Sequence, residues 1–559
     1  MKLRWRSRVV VATAAVAAAT LPIGPVAAPV VATTAANATG APDPRPNIVL
    51  ILMDDFSTEL LETMPNALQM QSDGAAYRNA FVIDSLCCSS RAALFTGQTP
   101  HQTGVLTNTA NDPTNPIGGF RAFEQYGNPA RSFNVALSDS GYTTGFIGKY
   151  LNGYEARNVD GQLQPPPKLP GWTDFQAILG GGYNGWGYRR TYLDDNGDLQ
   201  LVQEPKPPLT APIEERDAHY ATNVASDKAL DYIQRHEQDA NPYFLEIATY
   251  APHGSLQRAY PGDPLFPPAF ADRADAGDPA SGNCGAKACG DLSLADLAGY
   301  DDPRDDNAPT YLHNGKISPA PAWRTNPISL TGDQALLRYR DRARMVQAVD
   351  RMIGQVRETV GPDTYIVLTS DNGFHLGQHQ LNGGKGTPYD SDTRVPLIVD
   401  GPGVTPGPRT QYVNNIDLAP TFEELAGLTP APFRSGLSFA DTLTDPEARG
   451  NRYALFEHTY ALSQPDDGDP DTDDGSGGTI DIIPSYIGVR GDQGLLVRFD
   501  LDLSWDGEDY AWELYRYDQP WEDRNVFAED HNRPWVRDLM RRIKLFDDCS
   551  PAVCREAAR

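Results

Sequence analysis

Several short apolar segments of this chain end abruptly in polar residues. The first runs from Ile48 to Met53, and Asp54 and Asp55 follow it directly. An apolar run of about 4–8 residues with polar boundaries is typical of a strand that is buried on both faces. A sheet with two buried faces needs helices on both sides. The pattern therefore predicts an α/β chain built around a mostly parallel sheet.

Three further segments indicate strands of the same sheet, at residues 243–248, 364–369 and 395–399. Pro252-His253 follows the first of them, and Ser370-Asp371-Asn372-Gly373 follows the second. Apolar residues at helical spacing predict helices between the strands, at residues 223–234, 334–360 and 421–427. Ligands of such doubly wound sheets bind beyond the carboxyl ends of the strands. We therefore expect the polar residues after the strands to share one site.

The pattern changes after about residue 440. Residues 486–490 and 495–499 flank Gly491-Asp492-Gln493-Gly494, which predicts a hairpin. Residues 512–515 indicate another strand, and residues 535–546 an amphipathic helix. We predict three regions: an export signal and flexible N-terminus at 1–38, a catalytic domain at 39–440, and a smaller α+β subdomain at 441–559 with an acidic loop at 464–478.

The N-terminal residues resemble an export signal, because Lys2, Arg4, Arg6 and Arg8 precede an apolar run over residues 9–21. The run is too short and too rich in alanine to predict a membrane span. We therefore expect a secreted, cell-surface or periplasmic protein without a membrane span after signal removal. Export also suits disulfides within the closely spaced pairs Cys284–Cys289 and Cys549–Cys554.

The chain is strongly acidic, with a formal net charge of -27. Nucleic acid is not expected as a partner, because phosphate binding requires a basic surface. An anionic substrate would need a local cationic pocket. Five aromatic residues in a glycine-rich segment could stack on a sugar or simply pack under a loop: Trp172, Phe175, Tyr183, Trp186 and Tyr188.

Acids at two predicted strand ends indicate a metal site. Asp54 and Asp55 are adjacent carboxylates, and Asp371 and Asn372 add two oxygen ligands from a second strand. Each pair alone is also common in turns and helix caps. Together, without His or Cys, they suit a hard divalent cation, calcium in the first place or magnesium.

Residues 87–97 read Cys-Cys-Ser-Ser-Arg-Ala-Ala-Leu-Phe-Thr-Gly. This segment resembles the signature of type I sulfatases, in which the first Cys is oxidised to formylglycine. Further pieces match that family in order over residues 45–530: Asp54-Asp55, Gly148-Lys149-Tyr150, Pro252-His253, Ser370–Gly373, Lys385, residues 394–399, residues 415–421 and Glu513-Leu514-Tyr515. Within the family the chain is most similar to the N-acetylglucosamine-6-sulfatase and extracellular heparan-sulfatase branch.

The resemblance implies an alkaline-phosphatase-like α/β/α sandwich and a role for each matching residue. Asp54, Asp55, Cys87, Asp371 and Asn372 would hold one divalent cation. Cys87 would become the formylglycine nucleophile through a maturation enzyme, and Arg91 would orient it. Lys149 and Lys385 would bind sulfate oxygens, and His253 would protonate the leaving alcohol. Asn108 and His375 would contact the substrate, and His375 could instead brace the Asp371 loop.

Two positions depart from the family pattern. Ser89 stands where the family has Pro, so conversion of Cys87 is a prediction. Leu151 stands where many sulfatases have His, and we hypothesise that His375 replaces that group as a base.

The sequence thus predicts a sulfatase (a sulfuric ester hydrolase) acting on a sulfated small molecule or glycan such as N-acetylglucosamine 6-sulfate. Two alternatives stay open. The chain could be a phosphonate or phosphate monoester hydrolase that uses the same formylglycine chemistry. It could also be a non-catalytic binder of sulfated glycans, if Cys87 stays a thiol.

Overall fold

The computed structural model describes residues 43–109, 114–303, 306–325, 327–460, 483–503, 508–517 and 522–559. The expected export signal at 1–38 and the acidic loop at 464–478 lie outside these residues.

Within the described residues the strands form three sheets. In chain order they are β1 (Asn47–Met53), β2 (Ala75–Phe81), β3 (Thr143–Lys149), β4 (Arg157–Val159), β5 (Gln162–Gln164), β6 (Asp174–Ile178), β7 (Arg189–Leu193), β8 (Leu199–Gln203), β9 (Tyr243–Ala248), β10 (Thr310–His313), β11 (Lys316–Pro319), β12 (Thr364–Ser370), β13 (Ile398–Asp400), β14 (Gly407–Asn414), β15 (Ala454–His458), β16 (Tyr486–Gly491), β17 (Gly494–Asp500) and β18 (Tyr510–Arg516).

The α-helices of the described residues range from one turn to 28 residues in length. None of them is both long and apolar enough to cross a membrane. They are α1 (Pro65–Asp73), α2 (Cys87–Thr96), α3 (Pro100–Thr103), α4 (Gly119–Gln125), α5 (Phe133–Asp139), α6 (Ile213–Asp217), α7 (Ala221–His236), α8 (Gly332–Thr359), α9 (Asp390–Thr393), α10 (Leu418–Leu425), α11 (Asp441–Thr444), α12 (Phe527–Asp530), α13 (Pro534–Phe546) and α14 (Pro551–Ala558).

The large sheet has ten strands in the order β14-β2-β13-β12-β1-β9-β3-β6-β7-β8. Its centre is parallel, because β1 pairs in parallel with both β12 and β9, and β9 with β3. The residues that end these strands lie in register: Met53 is opposite Ser370, and Leu52 and Gly148 are both opposite Ala248. The parallel centre therefore brings four chain segments to one edge of the sheet.

Helices cover both faces of this sheet, as the apolar strands require. Ile48, Leu50 and Leu52 point to the side of α2, α4, α5 and α10, where a core rich in aromatic residues packs. Val49 and Ile51 point to the opposite side, against α1, α7 and α8. This mixed, mostly parallel sheet between two helical layers confirms the predicted α/β class.

The strand predicted at residues 395–399 is different from the expectation. The structure has only Ile398–Asp400 in strand form there, and this β13 runs antiparallel to β12. Pro396 lacks a backbone N–H and cannot take part in a regular ladder, which explains the late start.

A second sheet is antiparallel, in the order β11-β10-β18-β17-β16-β15. The predicted hairpin forms as β16 and β17, and α13 packs on this sheet with Val536, Leu539 and Ile543 in its core. Its edge hairpin, β10 and β11, comes from the middle of the chain. The division of the chain near residue 440 stays a prediction. Disulfides join Cys284 to Cys289 and Cys549 to Cys554.

Candidate active site

The carboxyl edge of the parallel strands gathers the predicted site residues. Asp54 and Asp55 follow β1, and Asp371 and Asn372 follow β12. Lys149 is the last residue of β3, and His253 lies in the loop after β9. All of these side chains are buried. Their grouping is a consequence of the strand register, not of proximity in the sequence.

Hydrogen bonds from the Asp55 backbone and from the Asn372 side chain connect the acidic residues. The Asp55 N–H donates to Asp371 Oδ1 at 3.2 Å, and Asn372 Nδ2 donates to Asp55 Oδ1 at 2.6 Å. Asp55 itself has a φ of 62°, in the left-handed region that Asp tolerates better than most residues. This turn directs the two adjacent carboxylates towards the same space.

Cys87 is the first residue of α2 and lies against these carboxylates. Its Sγ donates to Asp54 Oδ1 at 3.3 Å and lies 4.0 Å from Asp55 Oδ1. Burial, followed by the charge of Asp54, raises the pKa of the Cys87 thiol well above its usual value. Every residue of α2 is buried, so Cys87 is held at a helix N-terminus inside the protein.

Asn108 holds the first turn of α2, because its Oδ1 accepts a hydrogen bond from the Cys88 N–H at 2.9 Å. Cys88 points into the apolar core on the α2 side of the sheet. The structure therefore separates the two adjacent thiols, with Cys87 among the acids and Cys88 in the core.

Two lysines bring positive charge to the same point. Lys149 Nζ donates to Asp54 Oδ2 at 2.6 Å, and Lys385 Nζ donates to Asp55 Oδ1 and, at 2.8 Å, to Cys87 Sγ. Burial alone would lower the pKa of Lys149, but the neighbouring Asp54 raises it well above its usual value. Lys149 is therefore held as a cation in this cluster, and Lys385 contacts the Cys87 side chain directly.

Arg91 joins α2 to two strand ends. Its Nε donates to Asp371 Oδ2 at 2.7 Å, and its Nη1 donates to the Lys149 carbonyl at 2.6 Å. Burial would raise the pKa of Asp371, but Arg91 and then Lys149 lower it to about 2. For Asp54, burial and the nearby Asp371 charge raise the pKa.

The oxygen atoms of these acidic and amide side chains suit a hard divalent cation as its ligands. Asp55 Oδ2 and Asn372 Oδ1 are buried and accept no hydrogen bond from the described residues. Ligand atoms of Asp54, Asp55, Cys87 and His253 all lie within 4.8 Å of one another. Two buried oxygens without donors, beside further carboxylate oxygens, are the kind of ligands that calcium and magnesium prefer.

His253 faces this cluster with its Nε2. Its Nδ1 donates to the Gly254 carbonyl at 2.7 Å, and its Nε2 lies 3.5 Å from Asp55 Oδ2. Tyr183 packs beside it, with its ring centroid 4.5 Å from the His253 ring and 4.9 Å from Lys149 Nζ. Tyr183 and the four other aromatic residues noted in the sequence are all buried, so they pack within the protein.

His375 and Leu151 are placed by other contacts. His375 Nδ1 lies 2.9 Å from Asp392 Oδ1, and its backbone pairs with Gly384, the neighbour of Lys385. This arrangement braces the Lys385 segment, and a role of His375 as a base stays a prediction. Leu151 packs in the apolar core on the α2 side.

Several polar residues around the site were not singled out in the sequence. Ser90 donates through Oγ to the Asp371 carbonyl, and Asn415 Nδ2 donates to Ser90 Oγ at 2.9 Å. Arg342, on α8, donates to the Asp55 carbonyl and to Ser57 Oγ. Ser90 and Asn415 lie within segments that match the family pattern, which is the sequence signal for both, whereas Arg342 lies outside the matching segments. Glu246, in the middle of β9, is a buried acid whose pKa burial raises to about 8.

Comparison with known proteins agrees with this geometry. The sulfatase family model matches residues 46–428. Human N-acetylglucosamine-6-sulfatase is 30% identical over 397 aligned residues, and the match covers 68% of this chain and 61% of that protein. The chain spans about half the length of the first curated relatives that it matches.

Solved structures share the fold at lower identity. A protein in complex with its substrate D-glucosamine-2-N, 6-O-disulfate superimposes with a TM-score of 0.58 at 19% identity, covering 89% of this chain and 97% of that one. A phosphonate monoester hydrolase from Silicibacter pomeroyi gives 0.55 at 20% identity, covering 89% and 93%.

The family match covers most of the chain, and it contains Asp54, Cys87, Lys149, Asp371 and Lys385. The order of motifs, the sheet and the family match all agree, and the chain belongs to the sulfatase family.

Proposed function

We propose that this protein hydrolyses sulfate monoesters of sugars, with a formylglycine made from Cys87 and one bound divalent cation. The observation that carries the proposal is the position of Cys87 Sγ, which contacts Asp54 and Lys385 at the start of a buried helix. A nucleophile at this point would face acids that can hold a cation and lysines that can hold an anion.

Asp54, Asp55, Asp371 and Asn372, together with residue 87, would hold the cation. When bound, it would supply a Lewis acid that lowers the pKa of a coordinated hydroxyl and polarises a sulfate oxygen. Oxygen ligands suit both calcium and magnesium, and calcium is our first choice. Formylglycine that has added one water would supply two hydroxyl groups on one carbon. One would attack sulfur, and the other would lose its proton so that the carbon–oxygen bond to sulfate breaks and the aldehyde is restored.

The residues of the chain would provide charge and protons. Lys149 and Lys385 would bind sulfate oxygens and stabilise negative charge that develops on them. Arg91 would hold Asp371 and the start of the helix in place through its two hydrogen bonds. His253 donates through Nδ1 to Gly254, so Nε2 is the atom that would carry a proton to the leaving alcohol.

A 6-O-sulfated amino sugar, alone or in a glycosaminoglycan fragment, is the proposed substrate. The similarity to human N-acetylglucosamine-6-sulfatase and to a structure with a sulfated glucosamine supports this choice. The likeness to a phosphonate monoester hydrolase keeps phosphoryl esters as the second candidate. The signal pattern at residues 1–38 supports export.

Maturation is the step on which the proposal depends. Cys87 is fully buried, so we expect a formylglycine-generating enzyme to act before the chain folds around it. The test is mass spectrometry of the peptide that contains Cys87, in protein from its native host. Formylglycine at this position is the expected result, and an entirely unmodified thiol would support the glycan binder instead.

Two variants give a matched functional test. Cys87→Ala removes the nucleophile, and we expect p-nitrophenyl sulfate turnover to fall to background. Cys88→Ala removes the neighbouring core thiol and should leave detectable turnover. Parallel assays with p-nitrophenyl phosphate separate the two ester classes, and predominant phosphoryl turnover would reverse our order.

A further inference from the structure

A cavity of about 800 Å³ lies beside β14, the outermost strand at one end of the large sheet. Its walls are the edge strand β14 around Tyr412, the segment 437–439, the loop 449–452, Asp492 and Arg559. This volume is in the range of small-molecule sites, which is about 300–1,000 Å³. None of the residues in the proposed catalytic site lines it.

Three arginines line this cavity: Arg449, Arg452 and Arg559. All three are exposed, and none forms an ion pair or donates a side-chain hydrogen bond within the described residues. The acid in the lining, Asp492, accepts a hydrogen bond from the Tyr412 hydroxyl at 3.0 Å. In a chain with a net charge of -27, three guanidinium groups at one cavity, without ion pairs among the described residues, form a local concentration of positive charge.

The cavity wall also contains amide oxygens that lack donors. Gln411 Nε2 donates to the carbonyls of Pro446 and Ala448, both at 2.8 Å, so its orientation is fixed. Asn451 Nδ2 donates to Asp417 Oδ2 at 3.0 Å, which fixes that amide as well. The remaining oxygens, Gln411 Oε1 and Asn451 Oδ1, accept no hydrogen bond from the described residues. A buried acceptor without a donor is unfavourable, so a ligand whose hydroxyl groups reach these two oxygens would gain hydrogen bonds.

We propose that this arginine cavity binds a sulfated saccharide as a second site, separate from the catalytic one. Guanidinium groups recognise sulfate and carboxylate through paired N–H donors, and sugar hydroxyls would serve the two amide oxygens. A simple inorganic anion would use the arginines alone. The choice of a sulfated sugar rests on the proposed function, since a chain that binds polyanionic glycans at two sites would retain them during hydrolysis.

The test is isothermal titration calorimetry of the full chain with a heparin octasaccharide. Arg449→Ala/Arg452→Ala should weaken binding by about tenfold or more, because two charged contacts are lost. The control, Arg537→Ala/Lys544→Ala, removes the same charge from two exposed positions on α13 and should stay within about twofold of the unmodified chain. A desulfated octasaccharide should bind weakly to all three proteins.

The proposal is overturned if the cavity variant binds the octasaccharide like the unmodified chain, or if the control variant loses as much affinity. Equal binding of the desulfated sugar would also overturn it. Turnover of p-nitrophenyl sulfate should be unchanged in the cavity variant, and a thermal unfolding scan checks that the variant folds. If the unmodified chain does not turn over p-nitrophenyl sulfate, the proposed function fails, while the binding result still decides the cavity.

Discussion

Asp371 and Glu246 are buried acids in the same sheet, one at its carboxyl edge and the other in the middle of β9. Their environments shift the pKa in opposite directions, to about 2 for Asp371 and to about 8 for Glu246. Asp371 accepts hydrogen bonds from Arg91 and from the Asp55 N–H. Both oxygens of Glu246 accept none from the described residues.

The difference shows that burial alone does not decide whether an acid is charged. At the sheet edge the strands end, and the following turns and helices supply cations and N–H donors. In the middle of a strand the backbone N–H groups are used by the ladder, and the Arg91 charge offsets only part of the effect of burial on the pKa of Glu246. The edge can therefore hold several charges together, whereas the strand interior favours a neutral acid.

The largest expected effect comes from removing the charge of Asp371. Asp371→Asn should lower the free energy of unfolding by about 3–5 kcal/mol, because it leaves the buried Arg91 without its carboxylate. Urea denaturation measures the change. The matched control is Asp400→Asn, since Asp400 also ends a strand and pairs with an arginine, Arg357, but is partly exposed. Asp400→Asn should lower the free energy of unfolding by no more than about 1 kcal/mol. Equal losses in the two variants would contradict the distinction between a buried and a partly exposed carboxylate.

Cation binding should stabilise the protein through the acids at the sheet edge and not through Glu246 in the middle of β9. At a calcium concentration of 100 times the dissociation constant, the free energy of unfolding should rise by about 2.7 kcal/mol. Thermal unfolding with and without calcium, against a chelator blank, measures this. Asp55→Asn should lose most of the effect, whereas Glu246→Gln should keep it. Stabilisation of both variants alike would place the cation elsewhere.

The protonation of Glu246 should appear in the pH dependence of stability. Its pKa is about 8 in the folded chain and has an ordinary value of 4.5. The folded chain then binds more protons between these values, so the stabilising contribution is complete below pH 4.5 and is lost as pH rises towards 8. The slope is at most about 1.4 kcal/mol per pH unit.

Glu246→Gln removes this titration, since a neutral amide has nearly the same shape. Urea denaturation of both proteins at pH 5, 6.5 and 8 measures their free energies of unfolding. The value for the variant should rise relative to that of the unmodified chain as pH rises. All other titrating groups cancel in the difference. A difference that does not change with pH would mean that Glu246 is already ionised in the folded protein.

The smallest expected effect on the free energy of unfolding comes from a hydrogen bond between neutral groups at the same edge. Asn108→Ala removes the acceptor of the Cys88 N–H and should cost about 1 kcal/mol of unfolding free energy. Asn158→Ala is the control, because Asn158 accepts from the Gly161 N–H in an exposed hairpin, and it should stay within about 0.5 kcal/mol. A larger loss for Asn158 would contradict the importance of the buried contact.

Local patterns in the sequence are sufficient to predict which residues lie at the carboxyl edge of the sheet. The apolar run before Asp54 predicted β1, and the helix expected at 334–360 forms at Gly332–Thr359. Its start differs because Thr331 and Gln334 form a capping box, which places the first turn earlier. The polar residues after β1, β9 and β12 then converge, because parallel strands end at a common edge.

Other features depend on distant residues and could not be predicted locally. Thr310 pairs with Trp512, and no sequence pattern near either residue predicts that contact. Arg342 reaches Asp55 from α8, where an arginine is typically expected on the exposed face. Glu246 lies within an apolar run, and the run predicts a strand whether or not its acid finds a partner.

The hairpin of β10 and β11 has a practical consequence for dividing this protein. A fragment that begins at residue 441 would contain β15 to β18 and α13, but it would lack the two strands that complete its sheet at β18. The open edge of β18 would present unpaired N–H and carbonyl groups, which promote association between copies. Expression of the C-terminal part alone should therefore include residues 310–319 as a fused segment or a separate peptide.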